Sequence, residues 1–156
     1  MTHAYQEIYL NKAQTTLGSA FDYAINACKI PGERFIGLFT TSSYSKRMEN
    51  GDPSIVAGKS GIEVAIDIVL ETTGEAPDFK PKENFARSRE YWIGLAVCYY
   101  QWFSARSYRE IFAALTYEDL KNMYPTLHDV RATEQRHQQS KCRDALPALQ
   151  GPGNRY

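Results

Sequence analysis

Between residues 91 and 103 only Gly94 and Gln101 interrupt a run of apolar and aromatic side chains. A helix that is apolar nearly all round has to be enclosed, by other elements or by lipid. This run is 13 residues long, short of the roughly 20 that a bilayer crossing requires, so the enclosure is protein. The surrounding stretch, 88–107, holds both tryptophans and three of the eleven tyrosines. It is expected to form a central helix around which the others pack. An inner stripe of Trp92, Leu95, Ala96, Tyr99 and Phe103 would leave Tyr100 and Trp102, with Tyr108 just beyond, facing a second helix or a partner. Arg106 lies among them, and aromatic residues and arginine are enriched at interface hot spots. The candidate partner-binding residues are therefore Tyr100, Trp102, Arg106 and Tyr108, serving another protein or a homodimer.

The remaining elements follow from spacing and caps. Apolar residues recur at Tyr5, Tyr9, Ala13, Leu17, Ala20, Phe21, Ala24 and Cys28, the three- and four-residue rhythm of an amphipathic helix. Gly18 within it lets a neighbouring helix come close, and Pro31 ends it, because the residue before a proline is pushed out of helical conformation. A second helix is expected over 33–48, with Phe35, Leu38 and Phe39 buried and a poorly helical Thr40-Thr41-Ser42-Ser43 stretch. Asp52-Pro53 starts a short piece, as a cap followed by proline at the first helical position. Ser60 and Glu63 have capping-box spacing, as do Ser107 and Glu110, and Thr116 with Asp119 repeats the logic. The third helix is expected over 61–72, with Ile62, Ala65, Ile66 and Val69 on one face, Val64 and Ile68 close beside it, and Gly74 as its stop. Residues 74–87 read as a loop, and Pro125 as the end of the last piece. No stretch alternates as a strand would. The fold class is all-α: a single-domain bundle of five or six helices over residues 1–130, followed by a polar, basic tail over 131–156.

A chain of 156 residues is long enough for one domain with a real core. Its net charge is zero, which offers no general nucleic-acid or anionic-membrane surface. That balance conceals an asymmetry: residues 131–156 carry five Lys/Arg against two acids, a balance of +3 that leaves −3 on the first 130. The start has no apolar signal segment. Cys28, Cys98 and Cys142 are odd in number and form no Cys-x-x-Cys pair. Both features point to a reducing, cytoplasmic setting.

No catalytic constellation stands out. Gly58-Lys59-Ser60 has the ending of a phosphate-binding loop, but Pro53 occupies the place of the required first glycine and no strand precedes it. His3, His128 and His137 are too scattered for a metal site, and no cofactor is implied. A pairing of His128 with Cys98 is disfavoured because apolar surroundings raise a thiol's pKa. Glu63, Asp67 and Glu71 fall four residues apart and form a carboxylate strip, more often a solvated face than a site for a basic partner. The basic tail lacks the interleaved aromatics of single-strand binders, so direct nucleic-acid binding is not expected.

Tyr91-Trp92-Ile93-Gly94-Leu95-Ala96-Val97-Cys98-Tyr99-Tyr100-Gln101-Trp102 resembles a block in one known family. Similar segments extend the likeness: Leu17-Gly18 through Ala24, Phe35 with Phe39, Asn50-Gly51-Asp52-Pro53 through Gly61, Arg106-Ser107-Tyr108 with Ile111, and Tyr124 through His128. The family is the N-terminal domain of Firmicutes Xre-type helix-turn-helix regulators, regarded as antitoxin-like and often encoded beside toxin-like genes. In such regulators a helix-turn-helix domain of about 55 residues follows, whereas 28 residues remain here after His128. The resemblance therefore implies the interaction half of a regulator, without the DNA-reading half. It implies a non-enzymatic protein-binding module with a toxin-like or nuclease-like protein as partner. The alternative reading is a mobile-element-encoded inhibitor of a bacterial defence nuclease, anti-CRISPR-like in action, with Glu63, Asp67 and Glu71 imitating nucleic-acid charge.

Overall fold

The structure is a computed structural model that describes residues 3–78 and 88–128, with side chains through residue 124. It is all-α, with eight α-helices among the described residues and no strand. A 3₁₀ turn, Glu7–Tyr9, leads into α1 (Leu10–Asp22), which widens into a π-helical turn at Tyr23–Ala27. Helices α2 (Gly32–Thr41), α3 (Ser43–Glu49), α4 (Pro53–Val56) and α5 (Gly61–Thr73) follow. Then come the central α6 (Arg89–Ser104), α7 (Tyr108–Ala114) and α8 (Tyr117–His128). No described helix is long and apolar enough to cross a membrane.

The helix starts obey their local chemistry. Ser60, Ser88 and Ser107 each accept a hydrogen bond from the backbone N–H three residues on, and Ser107 with Glu110 completes a capping box. Thr116 and Asp119 do the same reciprocally, at 3.0 and 3.1 Å. Asp52 caps α4 ahead of Pro53. Gly74 ends α5 at φ 81°, a left-handed conformation that costs glycine little.

Helices α1 and α6 form the spine and run antiparallel. Leu10 packs on Tyr99 and Trp102, Gln14 donates to the Leu95 carbonyl at 3.2 Å, and Ser88 donates to Asp22 at the far end. At the crossing the backbones touch. A Cβ on Gly94 would lie 2.6 Å from the Leu17 carbonyl oxygen, and one on Gly18 would lie 2.8 Å from that of Tyr91. The close approach expected of Gly18 is thus real, and Gly94 is its counterpart. Helix α5 meets α1 in the same way, Gly61 seating against Ser19 and the Thr16 backbone.

Three expectations need correction. The second helix divides at Ser42, whose ψ is 161°. There α5 intervenes, because Glu71 accepts from the Ser43 N–H and Oγ at 2.8 and 2.9 Å and so caps the new helix α3. This division, with the short α4, brings the count to eight rather than five or six. Next, α8 continues through Pro125 to His128, so the proline does not end the helix as expected. Third, the buried face of α5 is centred on Val64, Ala65, Ile68 and Val69, leaving Ile62 and Ile66 half-buried. Part of the expected 74–87 loop and the expected 131–156 tail lie outside the described residues.

Candidate functional site

Helix α6 is buried over most of its surface, and the burial corrects the division into an inner stripe and a partner-facing remainder. Tyr100, Trp102 and Tyr108 are 3%, 5% and 0% exposed. Tyr100 and Tyr108 belong to the main core, where Tyr108 meets Phe39 edge-on at 4.9 Å. Leu95 and Phe103, both assigned inward, are instead only half-buried. Arg106 is half-buried, and its carbonyl accepts from Gln101 Nε2 at 3.0 Å. Trp102 is covered by this chain's own start.

Residues 3–6 lie across the C-terminal end of α6. The Ala4 N–H donates to the Trp102 carbonyl at 2.9 Å, one of the last four carbonyls that a helix cannot satisfy internally. Trp102 Nε1 donates in return to the Tyr5 carbonyl at 2.8 Å. The His3 ring stacks on the Trp102 indole with centroids 3.9 Å apart and planes 1° from parallel. Tyr5 reaches further, placing its hydroxyl 3.7 Å from Cys98 Sγ. Burial holds the Cys98 thiol up at about 11, and it raises the Tyr5 and Tyr108 hydroxyls as well. A thiol so placed is a core residue and a poor nucleophile. The ring of His128 lies outside the described side chains, so its pairing with Cys98 is left where it stood.

Sequence reasoning missed a polar cluster where α1, α6 and α8 meet. Glu90 is 6% exposed and accepts from Asn26 Nδ2 at 3.2 Å, Tyr117 Oη at 3.1 Å and Arg89 at 3.0 Å. The same Asn26 nitrogen donates to Asp22 at 2.9 Å. Desolvation works against charge on Glu90, but the donors from Arg89, Asn26 and Tyr117 outweigh it and hold its carboxyl below the ordinary range. The residue types could serve acid–base chemistry, yet their polar atoms face one another and knit three elements together. The only signal in the sequence was an acid at a first-turn position, Glu90, which reads equally well as a helix-dipole partner.

All three carboxylates of the strip on α5 are among the described residues. Asp67 is half-buried and bound by Lys59 Nζ and by Tyr44 Oη at 2.7 Å. Burial opposes its charge, and the bonds from Lys59 and Tyr44 prevail, keeping its carboxyl below the ordinary range. Glu71 caps α3, and Glu63 is exposed. Beside these carboxylates runs a second strip, Ile62, Ile66 and Leu70, also at four-residue spacing. Ile62 and Ile66 are half-buried, while Leu70 is 46% exposed. Ile62 and Ile66 pack against the main core, so Leu70 is the exposed large apolar residue of α5, beside Glu63 and Glu71.

No family model, no curated protein and no solved structure matches this chain.

Proposed function

We propose that this chain is a non-enzymatic protein-binding module, antitoxin-like or regulatory in role, and that it meets its partner through the outer face of α5. The resemblance to the N-terminal domain of Xre-type antitoxin-like regulators motivates the role. The observation that carries the surface is Leu70, a large apolar side chain left 46% exposed on α5 beside the exposed Glu63 and Glu71. An apolar centre with a polar rim is the usual anatomy of a contact site. A partner segment with apolar residues at its centre and basic residues at the margin fits it.

The nuclease-inhibitor alternative draws on the same carboxylates. Lys59 neutralises the middle one, so the strip imitates a run of phosphates poorly, and the binding-module reading is preferred. The test is affinity capture from the native host, followed by reconstitution of any captured protein with purified chain. Leu70→Asp should stay folded and weaken the reconstituted complex at least about tenfold, the scale of a hot-spot residue. Wild-type affinity in that variant removes α5 as the interface. Failure of the wild-type chain to retain any protein removes the binding-module reading itself.

A further inference from the structure

Residues 3–6 take their path from distant partners. The Ala4 N–H, the Tyr5 carbonyl and the His3 ring all engage Trp102. The Tyr5 side chain also rests on the turn between α3 and α4, where a Cβ on Gly51 would lie 2.6 Å from Tyr5 Cβ. The local chemistry asks for something else. Tyr5, Tyr9 and Ala13 share a four-residue spacing, so the apolar rhythm of α1 continues back into this segment. Residues 7–9 are already wound, and the chain departs from helix at Gln6, where ψ is 136°. Gln6 supplies no side-chain cap, whereas Asp52, Ser60, Ser88 and Ser107 each cap the helix they precede. Glutamine is not among the residues that mark a helix start. Returning Gln6 to a helical ψ would add about one turn ahead of Glu7 and lift His3, Ala4 and Tyr5 from Trp102. Gln6 and Glu7 are exposed and Ile8 is 80% exposed, so little packing resists that rotation.

We propose that residues 3–6 are a displaceable strap, which exchanges between the docked form and a continuation of α1 and so controls access to the aromatic cluster beneath it. Docked, the strap leaves Leu10, Tyr99 and Trp102 at 4%, 8% and 5% exposure. Released, it opens the Trp102 indole and the Trp102 carbonyl at the end of α6. The device does not depend on the role assigned to α5.

Hydrogen exchange of the full chain, followed by NMR, tests it. The Trp102 indole N–H, which donates to the Tyr5 carbonyl, should be protected at least about 100-fold less than the Val97 N–H in the middle of α6. Its rate should not respond to low denaturant, as local opening requires. Equal protection of the two groups means that the strap leaves only when the whole chain unfolds, and the proposal is overturned. Ala4→Pro removes the N–H given to the Trp102 carbonyl, while proline remains acceptable in the first turn of a helix. In that variant the indole should exchange several-fold faster, with Val97 unchanged and the Cα shifts of Tyr5 and Gln6 moved toward helical values. Faster exchange without those shifts overturns the exchange with α1, and an unchanged indole rate overturns the strap's hold on Trp102.

Discussion

At Gly94 the fold leaves no room for a methyl group. The atoms that a Cβ would strike, the Leu17 carbonyl at 2.6 Å and Gly18 Cα at 2.7 Å, are backbone and cannot rotate aside. Gly94→Ala should therefore destabilise by about 2–3 kcal/mol, as over-packing of a tight core does, measured by denaturant unfolding. Ala105 presents the opposite case. It closes α6 at φ 56°, a conformation that suits glycine, and Ala105→Gly should stabilise by about 0.5–1 kcal/mol. Tyr108 separates packing from polarity. Its ring is fully enclosed while its hydroxyl has no good hydrogen-bond partner among the described residues and lies against the weakly accepting Cys98 sulfur. Tyr108→Phe should stay within about 0.5 kcal/mol of wild type, because an unmet hydroxyl contributes little. Tyr108→Ala should lose about 3–5 kcal/mol, as aromatic truncation in a core does. Had Tyr108 been an interface residue, the alanine variant would remain stable and fail only in binding.

At the scale of elements, Glu90 decides how α6 joins the π-helical turn and α8. Its carboxyl titrates lower in the folded chain than in the unfolded one. The stability it contributes is thus fully present above the unfolded value and is lost as pH falls through the folded one. Unfolding should become easier on acidification below about pH 4.3, the ordinary glutamate value. Glu90→Gln should flatten that acid limb while lowering stability at neutral pH by about 1–3 kcal/mol, since the buried donors of Asn26 and Tyr117 lose a charged acceptor. Equal acid sensitivity in Glu90→Gln and wild type would assign the limb to other carboxylates. The separation of α2 from α3 belongs to the same scale. Thr40 and Thr41 turn their hydroxyls back onto the carbonyls of Ile36 and Gly37, as threonine does in a weak helix. The weakness was legible in the sequence. The break at Ser42 was not, because the carboxylate that caps α3 comes from Glu71, 28 residues away.

For the whole molecule the governing fact is that one helix is apolar over most of its circumference and is buried over most of it. The run over 91–103 dictated an all-α enclosure, and the caps at Asp52, Ser60, Ser88, Ser107 and Thr116 dictated where helices begin. Both are legible because they depend on residues within three or four positions of one another. Which aromatics would be covered, and by what, was not legible. The start of the chain closes over α6 through contacts between Tyr5 and Cys98, and between Tyr5 and Trp102, 93 and 97 residues apart. Contacts at such separations leave no periodic trace in the sequence. The same reasoning moves the candidate surface from Tyr100, Trp102 and Tyr108 to the outer face of α5, where Leu70 remains exposed beside Glu63 and Glu71. By itself the sequence determined the class of fold, its central helix and most of its helix starts, because hydrophobic period and capping are local. Only the tertiary structure decided which side chains are left for a partner, because exposure is settled by what packs on a residue from elsewhere in the chain.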